Sequence, residues 1–209
     1  MTIVCYDGKT IAADKMSRVK GKDGKRRVHS LEKQKISRGF QGRLFKGERI
    51  LLIGRAGLSK LSTATIEHLK KYKSTRTLKH HLQKKFPTGV GTGARLLIVT
   101  PKSVYRVRIT KDFELIPSRA YPRTKKIALG SASRSAELLM RGLGMDAKHA
   151  VEFISLYTPG CGGGVDYTTL LASFDTIHHL PPKDDRKQAL LKVLQHLQDR
   201  IETRIQRLA

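Results

Sequence analysis

The chain has 209 residues, of which 39% are hydrophobic and 28% charged, a composition that can fill one well-packed core. No apolar run approaches the ~18 residues that a membrane span needs, and the polar Asp7-Gly8-Lys9 stands where a signal peptide would be apolar. Cys5 and Cys161 lie far apart, which argues against a disulfide framework and a zinc site. We therefore expect a cytoplasmic protein with no membrane association, no cofactor and no metal.

The charge is strongly unbalanced, with 42 Lys and Arg residues against 17 Asp and Glu residues and a formal net charge of +25. Such an excess creates a long-range positive field that attracts polyanions. It indicates a nucleic acid or an acidic protein as a partner, and composition alone does not choose between them. The plain alternative is a basic surface without a specific partner.

The first fourteen residues predict a β-hairpin. Residues 2–6 and 9–13 are rich in β-forming side chains, and Asp7-Gly8 between them is a strong signal for a tight turn. Chain ends normally fray unless they are tied down. A strand that begins at the second residue therefore suggests that the start of the chain is held in place.

A basic segment follows at residues 15–34, where Lys and Arg residues are mixed with glycines and little can be buried. We predict a mobile loop, most simply a solvated charge run. It could also clamp phosphates, although it holds no aromatic residue that could stack on bases. Strands are predicted next at residues 35–44 and 49–53, the second of them covered on both faces.

The middle of the chain alternates pairs of helices with strands. Apolar residues recur at helical spacing between Ser59 and Phe86, which predicts two helices separated near Lys73-Ser74 and ended by Pro87. Asp146 is a good N-cap for a later helix. The other predicted elements are strands at residues 95–100, 103–109 and 126–129 and helices at about residues 133–143 and 146–156.

The C-terminal part contains a last strand near residues 167–171 and, after Pro181-Pro182, a helix over about residues 184–208. Its apolar residues form one stripe, which docks on its own domain or pairs with another subunit. We expect two parts, a domain at residues 1–180 and an amphipathic helix at residues 181–209. The element order favours an α+β fold with helices on both outer faces.

Six short motifs occur in order over residues 2–171: Thr2-Ile3-Val4, Asp7-Gly8, Ala12-Ala13-Asp14, Lys35-Ile36, Gly54-Arg55-Ala56-Gly57 and Gly130-Ser131-Ala132. In this order and spacing the set resembles the landmarks of proteasome β subunits and HslV-type peptidases, and especially proteasome-like proteins of bacteriophages. These are N-terminal-nucleophile hydrolases, and the resemblance implies a four-layer αββα sandwich.

The resemblance also implies a catalytic site. Thr2 would be the nucleophile once Met1 is removed, because a free α-amine can accept the hydroxyl proton within the same residue. Lys35 would lower the proton affinity of the hydroxyl, and Asp14 would hold that lysine. The further roles implied are oxyanion stabilisation by the Gly57 amide and support of the amine by Ser131.

Plain structural roles remain open for every one of these residues. Thr2 could simply open a strand, Asp14 and Lys35 could form a structural ion pair, and Ser131 could cap a helix. The role of Gly57 could be merely to allow a tight turn from a strand to a helix.

The sequence also departs from the pattern. Ser155 stands where the family usually carries an aspartate, and Ala132 replaces a glycine.

Two functions follow from these observations. The first is a threonine peptidase or amidohydrolase that assembles into a homo-oligomer and cleaves peptides or proteins, in a host cytoplasm if a phage encodes it. The second is a catalytically inactive structural or regulatory protein of the same fold whose basic surface binds nucleic acid or an acidic partner.

Overall fold

Two antiparallel β-sheets lie face to face in the computed structural model of the chain. The structure describes residues 2–20, 26–30, 34–57, 59–72, 77–90, 93–158, 161–171, 176–181 and 186–206.

Within these residues, the helices are α1 (Ser59–Lys71), α2 (Leu78–Lys85), α3 (Ser133–Glu137), α4 (Ala147–Tyr157) and α5 (Arg186–Gln206), with a π-helical turn at Leu138–Gly142 after α3. The strands are β1 (Ile3–Tyr6), β2 (Thr10–Asp14), β3 (Ser17–Lys20), β4 (Arg26–Ser30), β5 (Ile36–Ser37), β6 (Leu44–Phe45), β7 (Glu48–Arg49), β8 (Leu52–Gly57), β9 (Ala94–Val99), β10 (Ser103–Ile109), β11 (Leu115–Pro122), β12 (Ile127–Gly130), β13 (Val165–Thr169) and β14 (His178–Leu180).

The N-terminal hairpin forms the middle of the first sheet, whose order is β12-β1-β2-β13-β14. The second sheet has the order β11-β10-β9-β8-β5. The Asp7 carboxylate accepts hydrogen bonds from the amides of Lys9 and Thr10, and Gly8 has a φ of +104° that favours glycine. The hairpin predicted from Asp7-Gly8 is therefore confirmed.

Apolar side chains of the two sheets interdigitate and form the central core layer. Val4 and Ile11 of the first sheet share one buried cluster with Leu52 and Leu97 of the second. A Cβ placed on Gly54 would lie 2.5 Å from Cγ1 of Val4. The missing side chain of Gly54 thus lets the sheets approach closely.

Helices cover the outer face of each sheet. Leu61 and Leu69 of α1 belong to a buried cluster with β8 and β9, while Ala150 and Val151 of α4 pack with residues of β1 and β2. Val193 of α5 joins the α4 layer. The result is the predicted α+β fold with four layers, helices, two sheets and helices.

The predicted basic loop at residues 15–34 is wrong in part. Ser17–Lys20 and Arg26–Ser30 pair as antiparallel strands, and the remaining positions at 21–25 and 31–33 lie outside the described residues. The pairing is antiparallel, and its hydrogen bonds join backbone groups, which the side-chain pattern of a charged segment does not reveal.

Other element boundaries also differ from prediction. The strand expected at residues 35–44 shortens to Ile36–Ser37, since Gly39, Gln41 and Gly42 have positive φ values that an extended strand does not allow. The helix expected at residues 133–143 changes to a π-helical turn after Glu137. The predicted separation of the first two helices at residues 73–74 lies outside the described residues.

Candidate active site

Asp14 ties the beginning of the chain to the interior. It ends β2 and is fully buried, and its Oδ1 accepts a hydrogen bond from the Ile3 amide at 2.8 Å. The same oxygen accepts one from Lys35 Nζ at 2.8 Å, and Oδ2 accepts a longer one from the Gly162 amide at 3.4 Å. A single carboxylate therefore connects the residue after Thr2 with Lys35.

Lys35 is nearly as buried, with 5% of its surface exposed. Its Nζ also donates to the Met16 carbonyl at 2.6 Å, and its own carbonyl accepts from the Arg55 amide of β8. Burial lowers the pKa of Lys35, and the Asp14 charge opposes that shift. A buried lysine with a lowered pKa can exchange a proton more readily than a solvated one.

Burial acts on Asp14 in the opposite direction. It raises the pKa of the Asp14 carboxyl, while the charge of Lys35 and the hydrogen bond from Ile3 counteract this change. Both members of the pair are thus held away from water. Such perturbed groups cluster at functional sites, although structural ion pairs show the same shifts.

Thr2 lies against the turn that follows β12. Its carbonyl accepts a hydrogen bond from the Ser131 amide at 3.2 Å, and Ile3 pairs with Gly130 across the sheet. Gly130 has a φ of +113°, and a Cβ there would overlap the Thr2 carbonyl oxygen. The contact of Ser131 with Thr2 is a backbone contact, and the side chain of Ser131 is exposed.

Gly57 lies at the same end of the sandwich as Thr2. It ends β8 with a φ of +93° and pairs with Ala94. The next residue, Arg95, lines one cavity together with Gly130. Among the described residues no hydrogen bond joins Gly57 to Thr2, so an oxyanion role for its amide stays a prediction.

Asp166 is a buried acid that the sequence reasoning did not single out. It lies on β13 opposite Ala13, only 5% exposed, with Lys15 Nζ at 4.0 Å and His179 Nδ1 at 3.3 Å from its Oδ1. Burial raises the pKa of Asp166, and Lys15 opposes the shift. The available signal was an aspartate among the β-forming residues Val165 and Tyr167.

Ser155, which occupies the place of the expected family aspartate, lies near the end of α4. Its hydroxyl is buried and has no hydrogen-bond partner within the described part of the chain. It lines a cavity of about 50 Å³ with Gly162, the residue whose amide reaches Asp14. Gly162 thus connects the cavity lined by Ser155 with the Asp14 carboxylate.

The described residues contain no group of three or more His, Cys, Asp or Glu side chains placed to hold a metal ion. Within the same residues, no helix combines the length and the apolar character needed to cross a membrane.

Solved structures share this four-layer α+β fold. The chain is similar to Anbu, described as an ancestral beta-subunit, from Yersinia bercovieri, with 11% identity, a TM-score of 0.53 and coverage of 98% of this chain and 96% of that one. The Gly-1 mutant of Anbu from Hyphomicrobium sp. strain MC1 gives 13% identity, a TM-score of 0.56 and coverage of 99% and 100%. Another structure of Anbu from that strain gives 12% identity, a TM-score of 0.55 and coverage of 99% and 97%.

At these identities the likeness establishes the fold alone. No protein-family model matches the chain, and no curated protein matches it. The family assignment from the sequence, to proteasome β subunits or HslV-type peptidases and to bacteriophage members in particular, is therefore wrong, because the similar structures are those of Anbu. The short motifs follow the shared layering of the fold, which is common to more than one family.

Proposed function

We propose that the chain is a threonine hydrolase that cleaves peptide bonds with Thr2 as its N-terminal nucleophile. The observation that supports this best is the Asp14 carboxylate, which holds the Ile3 amide and the Lys35 ammonium group at 2.8 Å each. A lysine buried beside the first strand offers a fixed positive charge close to the proposed nucleophile.

In the proposed reaction, removal of Met1 frees the α-amine of Thr2. That amine accepts the proton of the Thr2 hydroxyl as its oxygen attacks the substrate carbonyl. Lys35 lowers the proton affinity of the hydroxyl, and the Gly57 amide donates to the oxyanion. The peptide C–N bond breaks as the leaving amine takes the proton, and water then hydrolyses the threonine ester. In this proposal Ser131 supports the α-amine.

The test is covalent labelling followed by intact-mass measurement. A peptide epoxyketone needs both the hydroxyl and the free amine of an N-terminal threonine, so one adduct on a chain that lacks Met1 is expected. Thr2→Ala should abolish the adduct, whereas Thr88→Ala, at an exposed threonine outside the site, should keep it. A mature chain that retains Met1 and forms no adduct contradicts the proposal.

We further propose that the active form is a cytoplasmic homo-oligomer whose sites face a protected space. Apolar residues of α5 support this, because Leu191, Leu194 and Ile201 are each more than half exposed in the single chain. Anbu is described as an ancestral beta-subunit, which is in keeping with an assembly. In this proposal the helix at 181–209 is an addition to the domain at 1–180.

A second candidate function is an inactive protein of the same fold that binds nucleic acid. It is favoured by the net charge of +25 and by Ser155, which stands where an acid is expected. Phosphate contacts would give an affinity that falls steeply with salt. Titration of a duplex DNA and an RNA across salt concentrations tests this, and absence of binding at low salt would exclude it.

A further inference from the structure

A cavity of about 350 Å³ opens at the end of the sandwich where Gly130 lies. Three arginines line it, Arg95 of β9 and Arg106 and Arg108 of β10. Side chains alternate between the faces of a strand, and these positions continue the face that carries Leu97 and Val104 in the central core. The apolar face thus gives way to arginines at this end, of which Arg95 and Arg108 are exposed and Arg106 is partly buried.

The charges in the cavity are not balanced. Arg106 is committed to Glu137 and to the Ala128 carbonyl. Arg95 and Arg108 pair directly across β9 and β10, and neither has an ion-pair partner in the described residues. Like charges that face each other across strands are unfavourable, and a bound anion would relieve the repulsion.

The cavity lies next to the proposed nucleophile. Gly130 lines it, and the amide of the following residue, Ser131, donates to the Thr2 carbonyl. On the other side, Arg95 follows Ala94, the residue that pairs with Gly57. Two residues of the lining are thus next in sequence to residues that contact Thr2 and Gly57.

The rest of the lining defines the shape of the anion. Apolar atoms predominate there, contributed among others by Ile116 and Leu129. A cavity with apolar walls and the guanidinium groups of Arg95 and Arg108 fits a carboxylate on a short aliphatic stem, because the stem packs on the walls and the carboxylate accepts bidentate hydrogen bonds. Aspartate and glutamate side chains have this form.

We propose that this cavity is a specificity pocket for an acidic side chain of the peptide substrate, close to the bond that is cleaved. The proposal rests on the proposed hydrolase function and adds the class of substrate. Arg95 and Arg108 are its specificity-determining residues.

The pocket is tested by binding, without any need for turnover. Fluorescent peptides that differ only by Glu, Gln or Lys at one position, scanned along the peptide, are titrated into the Thr2→Ala protein with anisotropy as the readout. At one or two positions the Glu peptide should bind about tenfold tighter than the Gln peptide. Arg95→Gln/Arg108→Gln should remove that preference and leave the affinity for the Gln peptide unchanged.

A charge-matched control separates a local pocket from the general positive field. Arg49 and Lys102 are exposed and lie at the opposite end of β9 and β10, since Glu48 beside Arg49 bonds the Lys102 amide and Thr100. Arg49→Gln/Lys102→Gln should keep the Glu preference. An equal loss in both double variants, or an oligonucleotide that displaces the Glu peptide through Arg95 and Arg108, would overturn the pocket for an acidic side chain.

Cleavage of the same peptides by the protein with Thr2 intact distinguishes the two proposals. Equal cleavage of the Glu and Gln peptides contradicts the pocket and supports the hydrolase. Glu-selective binding that depends on both arginines, with no cleavage of any peptide, contradicts the hydrolase and supports a pocket for acidic peptides.

Discussion

Gly130 shapes the candidate site through the side chain that it lacks. A Cβ at this position would overlap the Thr2 carbonyl oxygen, and the φ of +113° is itself unfavourable for other residues. We expect Gly130→Ala to displace Thr2 from the turn after β12 and to abolish epoxyketone labelling.

Gly89 provides the matched control for this substitution. It also has a positive φ, +75°, but a Cβ there meets no atom of the described residues within 4 Å. Gly89→Ala should therefore cost about 1 kcal/mol of the free energy of unfolding from backbone strain alone and keep labelling. If Gly130→Ala labels as well as Gly89→Ala, the overlap with Thr2 does not govern the site.

The Asp14–Lys35 pair should show strong energetic coupling. Either Asp14→Asn or Lys35→Met leaves one charge buried without its partner, and each is expected to lower the free energy of unfolding by about 3–5 kcal/mol. The double variant leaves no buried charge, so its loss in the free energy of unfolding should be clearly smaller than the sum of the losses in the two single variants. Urea unfolding of the four proteins measures the coupling.

The exposed pair of Lys85 and Glu67 serves as the comparison. Their side chains are 46% and 56% exposed, so the same comparison of single and double variants should give a coupling energy of at most about 1 kcal/mol. A coupling for Asp14 and Lys35 no larger than this would contradict a buried, charged pair.

Single residues could be predicted from the sequence only where local motifs marked them. Thr2, Asp14 and Lys35 stand in short motifs, and the structure brings Asp14 and Lys35 into contact. Asp166 stands in no such motif, because its surroundings depend on the pairing of β13 with β2, about 150 residues earlier in the chain. The buried hydroxyl of Ser155 depends likewise on tertiary packing.

At the scale of elements, Glu48 joins the β6–β7 hairpin to the turn between β9 and β10. Its carboxylate accepts hydrogen bonds from the hydroxyls of Thr100, Ser103 and Tyr105 and from the Lys102 amide. The Thr100 hydroxyl and the other donors lower the pKa of Glu48 from 4.5. Lowering of a carboxyl pKa on folding stabilises the folded chain above the unfolded pKa, and the gain is lost as pH falls through the folded value.

We therefore expect Glu48→Gln to be less stable than the natural protein at neutral pH and to approach its stability in acid. Urea midpoints measured between about pH 6 and pH 3 would show the difference shrink. Glu67→Gln, which changes an exposed carboxylate, should show a small difference at every pH. A Glu48→Gln difference that is constant with pH would contradict the argument.

Elements were predictable where their signals are local. The hairpin turn at Asp7-Gly8 and the N-cap at Asp146, whose side chain accepts from the His149 amide, are both confirmed. β11 was missed because it contains Pro117 and Pro122, which disfavour a strand unless it lies at a sheet edge, as β11 does. β14 has three residues and exists through its pairing with β13.

For the whole molecule, the order of elements predicted an α+β fold with helices on both outer faces, and the resemblance of the short motifs added the four layers. The arginine cavity could not be predicted in this way. Arg95, Arg106 and Arg108 are separate charged positions in the sequence, and only the pairing of β9 with β10 and the stacking of the two sheets bring them to one cavity, where Arg95 and Arg108 remain exposed. A site of this kind depends on which faces of the two sheets pack against each other, and a local sequence pattern does not specify that.

Helix α5 provides the test of assembly. Leu190, Leu194, Leu197 and Ile201 follow a spacing of four, three and four residues, and each is at least 36% exposed, while Val193 is buried in the layer of α4. Contact with its own domain thus leaves the stripe uncovered, and a second copy of α5 presents a matching one.

We expect Leu194→Glu/Ile201→Glu to reduce the mass measured by light scattering to that of a single chain, because four carboxylates would meet between two apolar stripes. Leu171→Glu changes a leucine outside the helix that is 95% exposed, and it should leave the mass unchanged. A natural protein that is monomeric at all concentrations, or an oligomer that withstands the double substitution, would show that α5 does not hold the assembly together.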